Sequence, residues 1–386
     1  MGVSTDSTMQ GVSRVHVLLP ADRLFRDVGV MITDVLRGRG LEATAAHEAT
    51  PAALDCDLLL LAGDCRKLRN LPELLRRRPA SGPRTVFWDL EPLPPPALSR
   101  HGEAVGRKVA ACTWARLPRF WGKLLEGVVP YRTRLVRALR SYRARSYAAE
   151  VERDPQRQGW GEFDSDSFFF VMTQYLWVAD MVAAGALDHV CATTRPRVEF
   201  LESRGIPATF VPLGSHAAWG RDLQIERDVD VLFLGRFHGN RRARLLQRLG
   251  SELKAKGRKL EIVDHGCWGE DRDRLLSRTK VLLNLPKFPW EFCGMRILMG
   301  MACGALVVSE ACGNAEPYEP GVHFAWADVD RLSETILHYL DHEQERAGIT
   351  RRARTFLERD LTLAESLETM LRTCAGKPLA VQQGIL

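Results

Sequence analysis

The chain has 386 residues, 45% of them hydrophobic and 26% charged, with a formal net charge of +6. That is the composition of a soluble globular protein, longer than one core usually supports, so two domains are expected. The mild positive balance suits an anionic ligand and, with no nucleic-acid-binding signature beside it, gives no ground for a DNA or RNA partner.

Residues 1–13 are polar and small, lack the basic start and apolar run of a signal peptide, and read as a disordered tail. "RVHVLLP" is a strand, and the helix after it carries Leu24, Val28, Ile32 and Leu36 on one face. "LEATAAH" and "DCDLLLLAGDC" are the next strands, "LPELLRRRP" a helix, and "RTVFWDLEPLPPP" a strand ended by prolines. This rhythm predicts a parallel sheet covered on both faces. From Val105 to Arg153 the pattern is helical and rich in arginine. Arg132, Arg134, Arg137, Arg140, Arg143 and Arg145 form either a solvated helix face or a peripheral contact with an anionic membrane surface or acceptor. Phe168 to Leu187 is apolar enough to imitate a membrane span, but Gln174 and Asp180 make it a buried helix. "HVCATT", "RPRVEFLESRG" and "ATFVPLG" restore strand, helix and strand, and the charged "RDLQIERDVD" marks a boundary between Leu213 and Asp228. The second half repeats the alternation through "DVLFLG", "KLEIVDHG", "VLLNLP", "ALVVSE" and "VHFAW". The nine cysteines follow no metal-ligand or disulfide spacing, so reduced thiols, a cytoplasmic location and no metal site are expected.

The expected architecture is therefore α/β: two Rossmann-like, doubly wound domains facing a central cleft. An acceptor-binding domain is expected over 14–215 and a second over 216–356, with 357–386 a helix and tail crossing back to the first. Ligands of such sheets bind at the carboxyl ends of the strands. Arg236 and Arg241 follow a strand that ends at Gly235, where a guanidinium can clamp phosphate. The loop "KFPWEFCG" stands before the helix "MRILMGMACG"; Gly294 leaves room at the helix N-terminus for a phosphate oxygen. Glu291 either accepts hydrogen bonds from sugar hydroxyls there or caps the loop in solvent. Asp64, Asp89 and Glu91 fall just after strands of the first domain, facing an acceptor or solvent. His265, in "VDHGCWGE", is a candidate for base or phosphate recognition; His216 and His238 read as structural.

From Asp188 to Phe356 the chain resembles the GT-B glycosyltransferases, in particular the CgeB-like (spore-maturation-type) branch of the group 1 enzymes. The strand–Gly–Arg element lies at Gly235 and Arg236, with Arg241 where the family often has lysine. The acid–x–Phe–Gly loop is matched by Glu291, Phe292, Cys293 and Gly294, the phenylalanine displaced by one. "ATFVPLGSH" and "EPYEPGVHFAWADVDRL" resemble the interdomain and closing donor-domain segments. Met299 stands where the family has a second, ribose-binding acid; either another group, such as Glu310 or Glu316, takes that role, or the donor sits differently.

The resemblance implies a metal-independent, retaining transferase that moves a sugar from a nucleotide-diphosphate sugar to an acceptor. UDP, GDP and dTDP remain open, as do small-metabolite, glycan, lipid and protein acceptors; the nucleotide-sugar is a co-substrate and no separate cofactor is implied. If the reaction inverts, Glu91 or Asp89 is the available base. A sugar-nucleotide epimerase or hydrolase, and a non-catalytic sugar-nucleotide-binding protein, are the alternatives.

Overall fold

A computed structural model describes residues 12–94, 103–104, 165–236, 240–288, 290, 292 and 294–375. The arginine-rich segment 105–153, His238, Glu291 and Cys293 lie outside the described residues.

The first half builds a six-stranded parallel sheet from β1 (Arg14–Leu18), β2 (Glu42–Ala46), β3 (Leu58–Ala62), β4 (Arg84–Asp89), β5 (His189–Ala192) and β6 (Thr209–Phe210), in the order β2-β1-β3-β4-β5-β6. Every residue of β3 is buried, as a strand covered on both faces requires. Helix α1 (Arg23–Gly38) starts at Asp22, whose carboxylate accepts from Phe25 N, and it buries Phe25, Val28, Ile32 and Leu36. Short α2 (Leu71–Arg76), α3 (Ser165–Ala183) and α4 (Arg195–Glu202) complete this half. Gln174 of α3 is buried and donates to Asp89. No described helix is long and apolar enough to cross a membrane.

The second half builds a five-stranded parallel sheet from β7 (Val229–Leu234), β8 (Leu260–Val263), β9 (Thr279–Asn284), β10 (Leu306–Glu310) and β11 (Ala325–Ala327), in the order β11-β10-β9-β7-β8. Its helices are α5 (Asn240–Ala255), α6 (Gly269–Ser277), α7 (Met295–Ala302), α8 (Leu332–Asp341) and α9 (Glu343–Arg359). The chain then recrosses beside the interdomain segment. Ser215 N donates to Leu361 O at 2.7 Å and Leu363 N to Ser215 O at 2.8 Å. At Gly214 a Cβ would lie 2.2 Å from the Thr362 carbonyl, so only glycine lets the two crossings touch. The final helix α10 (Leu363–Ala375) packs on α1, with Glu368 paired to Arg39, and so lies spatially with the first half.

Strand order reverses between β1 and β3 in the first sheet and between β7 and β9 in the second. Ligands of open α/β sheets bind in crevices at switch points of this kind.

Candidate active site

A cavity of about 320 Å³ lies between the two halves. Leu24 and Phe25 of α1, the segment Leu90–Pro92 after β4, and Thr193, Thr194 and Arg197 line it from the first half. From the second half come Arg242, Asn284 at the end of β9, Phe292, Gly294 to Arg296, and Glu316 to Tyr318.

The wall from the second half is cationic. Gly294 is the N-cap of α7 with φ +132°, a conformation that glycine favours, and the first turn of a helix has amide groups without intrahelical acceptors. Arg296 stands in that first turn, donates to Asn284 Oδ1 at 3.2 Å and lies over the Phe233 ring at 4.7 Å. Arg242 enters the same cavity from α5 and donates to the Arg236 carbonyl at 2.9 Å. Two guanidinium groups and a helix N-terminus on one wall concentrate positive potential where a diphosphate can sit.

The opposite wall carries an acid. Glu91 faces the cavity, and its backbone N–H donates to Asp89 Oδ1 at 3.2 Å, which turns the chain as it leaves β4. Burial pushes the Glu91 carboxyl up to about 7, with the nearby Asp64 and Asp89 charges adding to the rise and Arg197 and Lys67 opposing it. Arg197 is itself buried; it donates to the Asp89 carbonyl at 3.1 Å and to Thr193 Oγ1 at 2.8 Å.

Of the residues singled out in the sequence, Glu91, Phe292, Gly294 and Glu316 line the cavity. Phe292 does so as a core residue, stacked on Phe324 at 4.3 Å. Glu316 pairs with Arg195 of the first half through two bonds of 2.9 Å. The other described ones are elsewhere. Arg241, expected at the leaving phosphate, turns into the protein and forms a buried bidentate pair with Glu310, which removes both from the cavity wall. Asp89 is fully buried and holds Gln174 and the turn at Glu91, so it cannot reach an acceptor as a base. His265 is exposed beside Asp264, outside the cavity. Arg236 is exposed and also outside it. Gly235 acts from behind, leaving space for the Arg296 guanidinium. Met299 is buried in the core on α7.

Arg242 and Arg296 were missed in the sequence. Arg296 carried a signal: a cation in the first turn opposes the helix dipole, a placement that stability alone disfavours.

The chain is similar to an α-glucosyltransferase in complex with UDP and a 13-mer DNA containing an HMU base, at 10% identity and TM-score 0.50, over 94% of this chain and 100% of that one. The fold is GT-B. TarM is also similar, at 9% identity and TM-score 0.50 over 83% of this chain; the match spans 55% of the length of TarM. HepE from Anabaena, in complex with UDP and glucose, gives 12% identity and TM-score 0.45, over 95% of this chain and 100% of HepE. Residues 241–372 of this GT-B chain match the family model described as glycosyl transferase-like. No curated protein matches the chain.

Proposed function

We propose that this chain is a metal-independent glycosyltransferase of the CgeB-like branch, taking a nucleotide-diphosphate sugar in its C-terminal half and a hydroxyl acceptor in its N-terminal half. The observation that carries the reading is the cationic wall of Arg242, Arg296 and the α7 N-terminus, set in the segment that matches the glycosyl transferase-like model. In this reading the diphosphate lies against that wall. When the bond from the anomeric carbon to the phosphate oxygen breaks, its electron pair stays on the diphosphate, and the two guanidinium groups stabilise the charge where it develops. The acceptor oxygen bonds to the anomeric carbon. Its proton passes to Glu91 if the configuration inverts, or to the departing phosphate if it is retained. Glu291 and Glu316 would orient donor hydroxyls, Glu316 taking the part of the acid that Met299 replaces.

UDP is the first nucleotide to try, since it is named in the complexes of the similar α-glucosyltransferase and of HepE. The acceptor, a cytoplasmic location and a membrane contact through 132–145 belong to the same proposal. The test is incubation with UDP-, GDP- and dTDP-sugars and cell extract, with products read by mass spectrometry and UDP binding by calorimetry. New glycoside formation, lost in Arg296→Ala, is expected. Free sugar with no glycoside in any extract would mean a hydrolase, and nucleotide binding without turnover a sensor.

A further inference from the structure

The loop between β9 and α7 is anchored in the opposite half of the molecule. Trp290 is 2% exposed, and its Nε1 donates to the Leu93 carbonyl at 3.2 Å. Its ring packs with Phe288, at 5.1 Å between centroids, and with Val171 and Phe170 of α3. Lys287 adds a cation over the rings of Phe170 and Phe288, at 5.6 and 5.3 Å. Two residues further on, Phe292 turns back into its own half, bonded through its N–H to the Asn314 carbonyl at 3.3 Å.

The anchor point has its own significance. Leu93 is buried and lies two residues after Glu91, on the segment that leaves β4 for the cavity. Trp290 therefore joins the segment that ends at Gly294 and Arg296 to the segment that carries Glu91. An apolar ring with one polar atom suits this place, because burial holds the loop while the N–H fixes its register on a single carbonyl.

We infer that Trp290 is a positioning residue, which sets the donor-side loop and the acceptor-side loop against each other so that the reacting groups align only when the two halves are together. The inference rests on the glycosyltransferase reading above. Trp290 touches neither substrate in this assignment; it acts through the loops it joins. Its loss should leave the arginine wall able to bind a nucleoside diphosphate while removing the alignment that turnover needs. Arg195 and Glu316 form another link across the cleft, but their pair is half exposed to water and easily screened, so the buried Trp290 contact is the firmer of these two.

The test uses the full chain as wild type, Trp290→Phe and Trp290→Ala. Hydrogen exchange requires no substrate: in Trp290→Ala, amides of both 88–94 and 285–298 should exchange at least tenfold faster, with those of 58–62 unchanged. Turnover is then followed with whichever of UDP-, GDP- and dTDP-glucose the wild type consumes fastest. Trp290→Ala should lower kcat tenfold or more while the affinity for the matching nucleoside diphosphate stays within threefold. Trp290→Phe, which keeps the ring packing, should recover most of the turnover. Unchanged exchange at 88–94 overturns the inference, because the first half then does not depend on the ring. So does turnover within twofold of wild type, or a loss of nucleotide affinity as large as the loss of kcat. A wild type that turns over no nucleotide-sugar of the full panel with cell extract overturns the parent reading and the positioning role with it, and the exchange result still tells whether the anchor exists.

Discussion

Gly235 lies against the guanidinium of Arg296: a Cβ built on Gly235 would fall 2.4 Å from Arg296 Nη2. Glycine at the end of β7 is thus the condition for Arg296 to lie over Phe233 and reach the cavity. The backbone there also has φ +135°, which other residues avoid. Gly235→Ala should push Arg296 off Phe233 and add about 1–3 kcal/mol of backbone strain. Calorimetry should show UDP affinity falling more than tenfold with uridine affinity little changed; equal losses for both would place Arg296 away from the phosphate.

Arg296 and Arg241 should separate by experiment. Arg296→Ala should lose about 1.5–3 kcal/mol of diphosphate binding, the worth of a charge-assisted hydrogen bond, with little change in melting temperature. Arg241→Ala should do the reverse. It leaves Glu310 as a buried charge without its partner and should cost about 3–5 kcal/mol of stability. A stable Arg241→Ala protein with impaired UDP binding would return Arg241 to the site.

Glu91 predicts a pH dependence. Its carboxyl is raised from 4.5 to about 7, so the folded state holds a proton that the unfolded state releases. Between those values stability falls as pH rises, and above about 7 the full cost is present, on the order of 3 kcal/mol. Glu91→Gln should therefore stabilise the protein at pH 8 and have little effect at pH 4. If Glu91 takes the acceptor proton, wild-type turnover should rise through a limb near pH 7 that Glu91→Gln lacks. Chemical denaturation and rate profiles across this range check both.

Gly294 tests the helix mouth. Among the described residues a Cβ there would meet only Arg296 N, at 3.9 Å. The φ of +132° still makes Gly294→Val strained by about 1–3 kcal/mol. Beyond that strain, the valine should block the cavity wall and weaken UDP binding. In parallel, Glu291→Gln should lower turnover with UDP affinity nearly intact; wild-type turnover would make Glu291 a solvated cap.

With arginine supplying the positive charge, activity should survive EDTA. Complete loss, restored by magnesium or manganese, would refute the metal-independent mechanism.

How far the sequence reached can be judged residue by residue. The alternation of strands and helices was legible because apolar spacing is a local property: "LLLLA" reads as a strand covered on both faces, and Val28, Ile32 and Leu36 mark the buried face of α1 without reference to anything distant. The glycines at 235 and 294 were legible for the same reason, since each ends or begins an element. Arg241 and Arg242 show where local reading stops. They are neighbours on α5, about 100° apart around a helix axis. The setting of that helix on its sheet turns one toward Glu310 and the other toward the cavity. Asp89 and Glu91 divide in the same way, one on the buried strand and the other past the turn that its backbone N–H makes. The cross-domain contacts were out of reach altogether. Trp290 with Leu93, and Arg195 with Glu316, join residues more than a hundred positions apart. Spacing along a chain determines which face a side chain occupies within its own element; only the docking of the two halves decides what that face meets.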